Sequence, residues 1–323
     1  HMSIFAPRVN FKPFEYPEAS SYKEAIQHSY WLVSEWNFLS DVQQFHTVLT
    51  PSEREVVRRT LLAISQVEVA VKRFWAQIDS RFPKPEIAQV GIVLAECEVR
   101  HADAYSHLLE VLGLNEEFSS LLDEPLISGR LNYLTKYMKS DINNEEYALT
   151  LALFTSFIEN VSLFSQFLIM KSFSFKRNLL KDIDNVIQAT IREELLHGLF
   201  GVWLINKMKE EHPEWFNDAL YDRLRKAAEK AFLAESKIVD WICEQGELEF
   251  LSADVIKEFV ASRINESIVS MGGSEVFVID SEKIKNIEWF NNELYGATST
   301  DFFNKRPSTY SKRTQAFTAE GLF

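Results

Sequence analysis

The chain carries Glu98-Val99-Arg100-His101 and Glu194-Leu195-Leu196-His197. Each sets a carboxylate and an imidazole three residues apart inside an apolar stretch that reads as helix, so both side chains leave one face. Two further glutamates, Glu68 and Glu159, sit in two other apolar helical stretches. Four helices that each turn a carboxylate inward, two of them adding histidine, supply the ligand set of a di-iron or di-manganese bundle. Carboxylates and imidazoles suit these metals, and no thiolate belongs to the set. Six ligands for two metals leave positions open to oxygen species, so such a centre stores or generates oxidising equivalents. A Glu-rich chain with 7 His would hold roughly one Glu-x-x-His by chance. The surroundings decide the matter. Both pairs lie among Leu, Ile, Val, Phe and Ala, where a charge is costly unless it is paired or bound to metal.

The neighbours of each pair add candidates. Glu193 precedes Glu194, so it points to the side of the metal-facing stripe and is placed to hold a histidine's other nitrogen. Tyr105 follows His101 by one turn on the same face. It reads either as an ordinary core tyrosine or as a redox-active phenol beside the metals.

These residues need long elements to position them. The 323 residues include only 10 Gly and 9 Pro, with 46% hydrophobic residues, which fits one large helical domain. Pro51-Ser52-Glu53 opens a helix that runs to about Asp79. Others are expected over about Glu86–Leu112, closed by Gly113, then Leu121–Lys139, Asn144–Lys171, Phe175–His212, Pro213–Gln245 and Ala253–Gly272. A short helix is expected from Ser21 to about Trp36, and no strand pattern is convincing. Residues 1–20, with three prolines, read as an extended arm, 21–295 as the helical domain and 296–323 as a tail.

The net charge of −13 argues against a nucleic-acid partner, which needs a basic face. No apolar run reaches about 18 uncharged residues, so no membrane span is expected. The start has no signal-peptide pattern, and His1 reads as a cloning remnant before Met2. Cys97 and Cys243 show no pairing pattern, which points to a reduced, cytoplasmic compartment.

Taken together, Glu98-x-x-His101-x-x-x-Tyr105, the later Arg192-Glu193-Glu194-x-x-His197 and a carboxylate some thirty residues upstream of the first pair resemble the radical-generating small (beta) subunit of class I ribonucleotide reductase. The likeness spans nearly the whole chain. Tyr30-Trp31-Leu32-Val33-Ser34-Glu35 followed by Ser40-Asp41-Val42 is similar to the family's tryptophan segment. Arg306-Pro307-Ser308-Thr309-Tyr310, ending in Gly321-Leu322-Phe323, is similar to its carboxyl-terminal segment. The resemblance implies an all-α, ferritin-like long-helix bundle around a buried dinuclear metal site. It implies Glu68, Glu98 and His101 at one metal, and Glu159, Glu194 and His197 at the other. It makes Trp31 the relay tryptophan, Glu193 the carboxylate linking it to His101, and Tyr310 the tail tyrosine that passes the radical to the large (alpha) subunit. A homodimer is also implied, with the arm 1–20 as a strap across the partner.

Two departures sharpen the resemblance. The first ligand and the relay carboxylate are aspartates in most members; here they are Glu68 and Glu193. A glutamate first ligand, with Tyr105 retained, is most similar to the dimanganese subclass (class Id). That implies two manganese ions, with iron or a mixed manganese–iron pair as alternatives, and an oxidising equivalent held on the metals rather than on Tyr105. A ferritin-like metal oxidase acting on a small molecule would use the same ligands, but would need neither Trp31 nor Tyr310.

Overall fold

The computed structural model describes residues 3–70, 74–121, 124–126, 129–130 and 141–298. Tyr310, the rest of the tail and most of the helix expected over Leu121–Lys139 lie outside the described residues. Helix α1 spans Ser20–His28, α2 Leu39–Thr47, α3 Pro51–Ala70, α4 Pro85–Leu112 and α5 Asn115–Leu121. Helix α6 spans Asn144–Phe154 and runs into a π-helical turn, Thr155–Glu159; α7 spans Phe164–Arg177 and α8 Lys181–Glu211. Then follow α9 (Asp218–Ile242), α10 (Ala253–Ser270), α11 (Ser281–Lys285) and α12 (Glu288–Thr298). Among the described residues the only β feature is an isolated bridge between Leu248 and Leu251.

Local chemistry sets the ends of these helices. Thr50 and Glu53 cap α3 reciprocally: the Thr50 amide donates to Glu53 Oε1 at 2.9 Å and the Glu53 amide to Thr50 Oγ1 at 3.2 Å. Helix α4 begins on Pro85 and stops at Gly113, whose φ of 75° is the left-handed conformation that glycine adopts without cost. Asn143, Asn217 and Ser252 cap α6, α9 and α10 through their side chains.

Helix α3 packs on α4 and α7, and α8 packs on α4, α6 and α7, so the ligand-bearing elements enclose one core. That core is closed by large apolar side chains, among them Phe154, Phe157, Phe164, Phe167 and Phe200, all fully buried. The stretch Asn144–Arg177 is long and apolar enough to cross a membrane by length and composition, but 94% of its most apolar window is buried in this core.

Several expected boundaries move. The helix expected to run from Pro51 to about Asp79 is described to Ala70, and Trp75–Ser80 forms a 3-10 helix. The first short helix ends at His28, where the Ser29 hydroxyl bonds back to the Ala25 carbonyl. Trp31 therefore lies in extended chain rather than in a helix, with Leu32 at φ −130°, ψ 146°. The expected helix Asn144–Lys171 is interrupted by the π turn at Thr155–Glu159. The fifth begins at Lys181, not near Phe175: Asn178 and Leu180 both take left-handed conformations and reverse the chain. The arm lies on its own subunit. Ile4 is fully buried, its amide bonded to Glu211, and Tyr16 Oη also donates to Glu211 at 2.9 Å.

Candidate metal centre

Helix α3 supplies Glu68, α4 supplies Glu98 and His101, the last residue of the π turn is Glu159, and α8 supplies Glu194 and His197. All six are buried. Ligand atoms of Glu68, Glu98, His101 and Glu194 lie within 4.8 Å of one another, as do those of Glu159, Glu194 and His197. His101 Nδ1 is 3.3 Å from Glu68, 3.5 Å from Glu98 and 3.3 Å from Glu194. His197 Nδ1 is 3.4 Å from Glu98 and 3.2 Å from Glu159. Glu98 and Glu194 thus each lie close to ligand residues of both halves, and both would be available to hold metal there.

The donor set fits metal ions. His101 Nδ1 and Glu194 Oε1 face each other without making a hydrogen bond, and buried polar atoms left this way are the exception in folded proteins. Burial would lower the His101 pKa, but the charge of Glu68 and the hydrogen bond to Glu193 outweigh it and raise it well above the ordinary imidazole range. Burial, together with the charges of Glu159 and Glu98, pushes the Glu194 carboxyl well above the usual carboxylate range. Glu159 is held below that range against its burial, by His197 and by the indole of Trp75. The site thus crowds four carboxylates around two imidazoles, a charge that two dications would compensate.

Glu159 arrives by an irregular route. In the π turn the amides of Asn160 and Ser162 reach back five residues, to Thr155 and Phe157, at 3.2 and 2.9 Å. Helix α8 makes room with two glycines. A Cβ on Gly198 would lie 2.0 Å from Asn160 Oδ1, and one on Gly201 2.3 Å from Thr155 Oγ1. Two guanidiniums, one fully buried and one partly buried, hold the following turn. Arg263 donates to the Asn160 carbonyl at 3.0 and 2.8 Å, and Arg130 donates to the carbonyls of Ser162 and Ala63 while paired with Glu235 at 3.2 Å. These four residues escaped the sequence reading. The Gly198–Gly201 spacing beside His197 was the available signal; nothing local marked the arginines.

A second network leads away from the centre. Glu193 Oε1 accepts from Trp31 Nε1 at 2.9 Å and lies 2.8 Å from His101 Nε2. The rings of Trp31 and His101 are near-parallel, with centroids 6.0 Å apart. The Glu193 carboxyl is held below the usual range despite its burial, by His101, Arg100 and Trp31. Tyr105 is fully buried and donates to Thr190 Oγ1 at 2.9 Å; burial pushes its phenol far up, against that hydrogen bond. The structure thus brings nine of the predicted site residues to one region, and the tenth, Tyr310, lies outside the described residues.

A bundle that converges four carboxylates and two histidines on one buried point, each histidine following a glutamate by three, is a ferritin-like protein with a dinuclear metal site. The family model described as "Ribonucleotide reductase, small chain" matches residues 8–284, and the chain belongs to that family: it is a radical-generating subunit built around such a centre. It is 27% identical to the probable ribonucleoside-diphosphate reductase small subunit of Invertebrate iridescent virus 3, over 96% of this chain and 86% of that protein. It is 25% identical to the ribonucleoside-diphosphate reductase subunit beta of Chlamydia pneumoniae, over 65% and 66% of the two chains. In fold it is similar to the ribonucleotide reductase R2 subunit from Clostridium botulinum, with a TM-score of 0.79 and 14% identity over 91% of this chain and 94% of that one. An R2-like ligand-binding oxidase with a reconstituted Mn/Fe cofactor has a TM-score of 0.69 at 17% identity, over 81% and 94%.

Proposed function

We propose that this subunit holds two manganese ions and sends their oxidising equivalent outward through Trp31 to a large subunit that reduces ribonucleoside diphosphates. The observation that carries this reading is the Trp31–Glu193–His101 network, because it joins an imidazole of the ligand set to an indole that lies outside the bundle helices. Glu68, Glu98, His101, Glu159, Glu194 and His197 hold the metals. When bound, the pair supplies a one-electron oxidant. The residues of the chain do the rest. Glu193 fixes the His101 tautomer and orients the Trp31 ring with one oxygen, and the phenylalanine-lined core keeps water from the site. Tyr310, on the sequence resemblance, takes the oxidant onward. The protein acts as a homodimer.

Glu68 in place of the commoner aspartate, with Tyr105 kept, supports the manganese reading. Binding strength does not, since manganese binds most weakly of the divalent series.

The test is reconstitution in manganese, followed by metal analysis, electron paramagnetic resonance and an assay with and without the large subunit. We expect two ions per chain, a metal-centred signal and ribonucleotide reduction only when both subunits are present. Tyr105→Phe should keep activity within about threefold of the parent, since a metal-held oxidant does not need the phenol. A tyrosyl signal in the parent, abolished with all activity in Tyr105→Phe, would move the oxidant onto Tyr105. Activity on a small molecule without any partner would favour the oxidase reading.

A further inference from the structure

Arg100 lies between the two ligands of the first Glu-x-x-His pair, yet it points away from them. Its residue is 3% exposed. Nη2 is 2.9 Å from Glu193 Oε2 and 3.1 Å from Cys97 Sγ. Nε lies 3.0 and 2.9 Å from the two oxygens of Glu96, and Nη1 is 3.4 Å from the Trp31 carbonyl. The guanidinium carbon is 5.7 Å from the centre of the Trp31 ring and 4.5 Å from that of Tyr30. A full positive charge is therefore buried against the indole of the relay, under the roof of a tyrosine that is 56% exposed.

This placement has an electrostatic consequence. Taking an electron from Trp31 creates a second positive charge beside the first, and repulsion at such a distance is far stronger inside a protein than in water. The same guanidinium occupies Oε2 of Glu193, so much of that carboxylate's charge is spent on the ion pair. Without Arg100 the whole carboxylate charge would bear on the indole and favour its oxidation.

We propose that Arg100 is a positioning residue that keeps the oxidising equivalent on the metal side of the relay while the subunit stands alone. The proposal rests on the reading of Trp31 as the relay. The step it controls is the loss of one electron from Trp31 to the dinuclear centre, which gains that electron. No bond forms or breaks, and the Nε1 proton stays on the indole, hydrogen-bonded to Glu193 Oε1. In the isolated subunit an added thiol, dithiothreitol, then returns an electron to the indole.

The experiment follows the decay of the oxidised centre by its paramagnetic signal, in the full chain without large subunit, with dithiothreitol present and metal content matched. Arg100→Gln should shorten the half-life ~10-fold, while Arg100→Lys, which keeps the charge, should stay within about threefold of the parent. Adding Trp31→Phe to Arg100→Gln should restore the parent half-life. Glu96→Gln, at a more exposed carboxylate, works in the opposite sense by leaving the guanidinium less compensated, and should lengthen the half-life about twofold. An unchanged half-life in Arg100→Gln overturns the proposal, as does a shortening that persists in the double variant or a shortening in Glu96→Gln. Failure of the underlying relay is seen separately, as full ribonucleotide reduction by Trp31→Phe with the large subunit.

Discussion

The two Glu-x-x-His halves use the same residue types to opposite ends. In the first, indole, carboxylate and imidazole stand in series: Trp31 donates to Glu193, which also holds His101, and Glu193 is not one of the six ligands. In the second, the indole of Trp75 donates directly to the ligand Glu159 at 3.2 Å. His197 Nε2 there has no hydrogen-bond partner among the described residues. One half is wired towards the outside; the other is closed on itself. Their backbones differ as well. Both Glu-x-x-His pairs sit on regular helices, but their added glutamates differ: Glu68 lies on helix α3, whereas Glu159 lies on a π turn held by glycines and guanidiniums. On the relay proposed for Trp31, the outlet is the half whose indole meets a carboxylate outside the ligand set.

The sharpest way to break the comparison is to remove what the halves share. Glu194→Ala should empty both metal positions and abolish ribonucleotide reduction, as read by elemental analysis and assay, because its carboxylate belongs to both ligand groups. One ion retained at parent affinity would show that the halves are independent.

The two indoles come next. Trp31→Phe should leave metal loading unchanged and cut reduction with the large subunit by at least ~100-fold, whereas Trp75→Phe should leave the relay working and weaken metal binding about tenfold through the loss of a contact to a ligand. Equal losses of turnover in the two variants would erase the distinction between an outlet and a closed half.

A third measurement concerns protons. Glu194 and His101 both have pKa values raised by their surroundings, and both must give up protons to bind metal. Affinity should therefore rise with pH, by about tenfold per pH unit for each proton displaced, across and above the ordinary imidazole range, with protons released on uptake. Uptake that is flat across that window would show that neither group is protonated in the metal-free protein.

The smallest expected effect tests the backbone. Gly198→Ala must displace Asn160, and should cost about 1–3 kcal/mol in chemical denaturation, with weakened binding confined to the His197 half. Gly296, with no atom within 4 Å of a Cβ, is the control: Gly296→Ala should be neutral or slightly stabilising in the same experiment. Matching losses in the two alanine variants would mean that the π turn tolerates the extra methyl.

How far the sequence could be read follows the same divide. Helix α4 was legible almost to the residue, because Pro85, the apolar period and Gly113 all agree. The pairing of Glu193 with His101 was legible from its position beside Glu194. Trp31 was assigned to a helix wrongly, since its extended backbone is set by a partner 162 residues away. The π turn was invisible because Tyr147–Phe173 is buried on nearly every side, polar residues included, so its hydrophobic pattern gives little phase to read. Arg130 and Arg263 act on backbone carbonyls far along the chain, and a hydrogen bond to a carbonyl leaves no trace in the identity of its residue.

The π turn also acts as an inserted residue. An α-helix advances about 100° per residue, so deleting one position between Thr155 and Ile158 would let α6 continue as a regular helix at no local cost. It would also swing Glu159 by that same angle, away from His197. The apolar stretch would still fold, and the protein would still be helical. What it would lose is one corner of the site, which makes the length of this short segment, as much as the identity of Glu159 at its end, a property that the chain has to preserve.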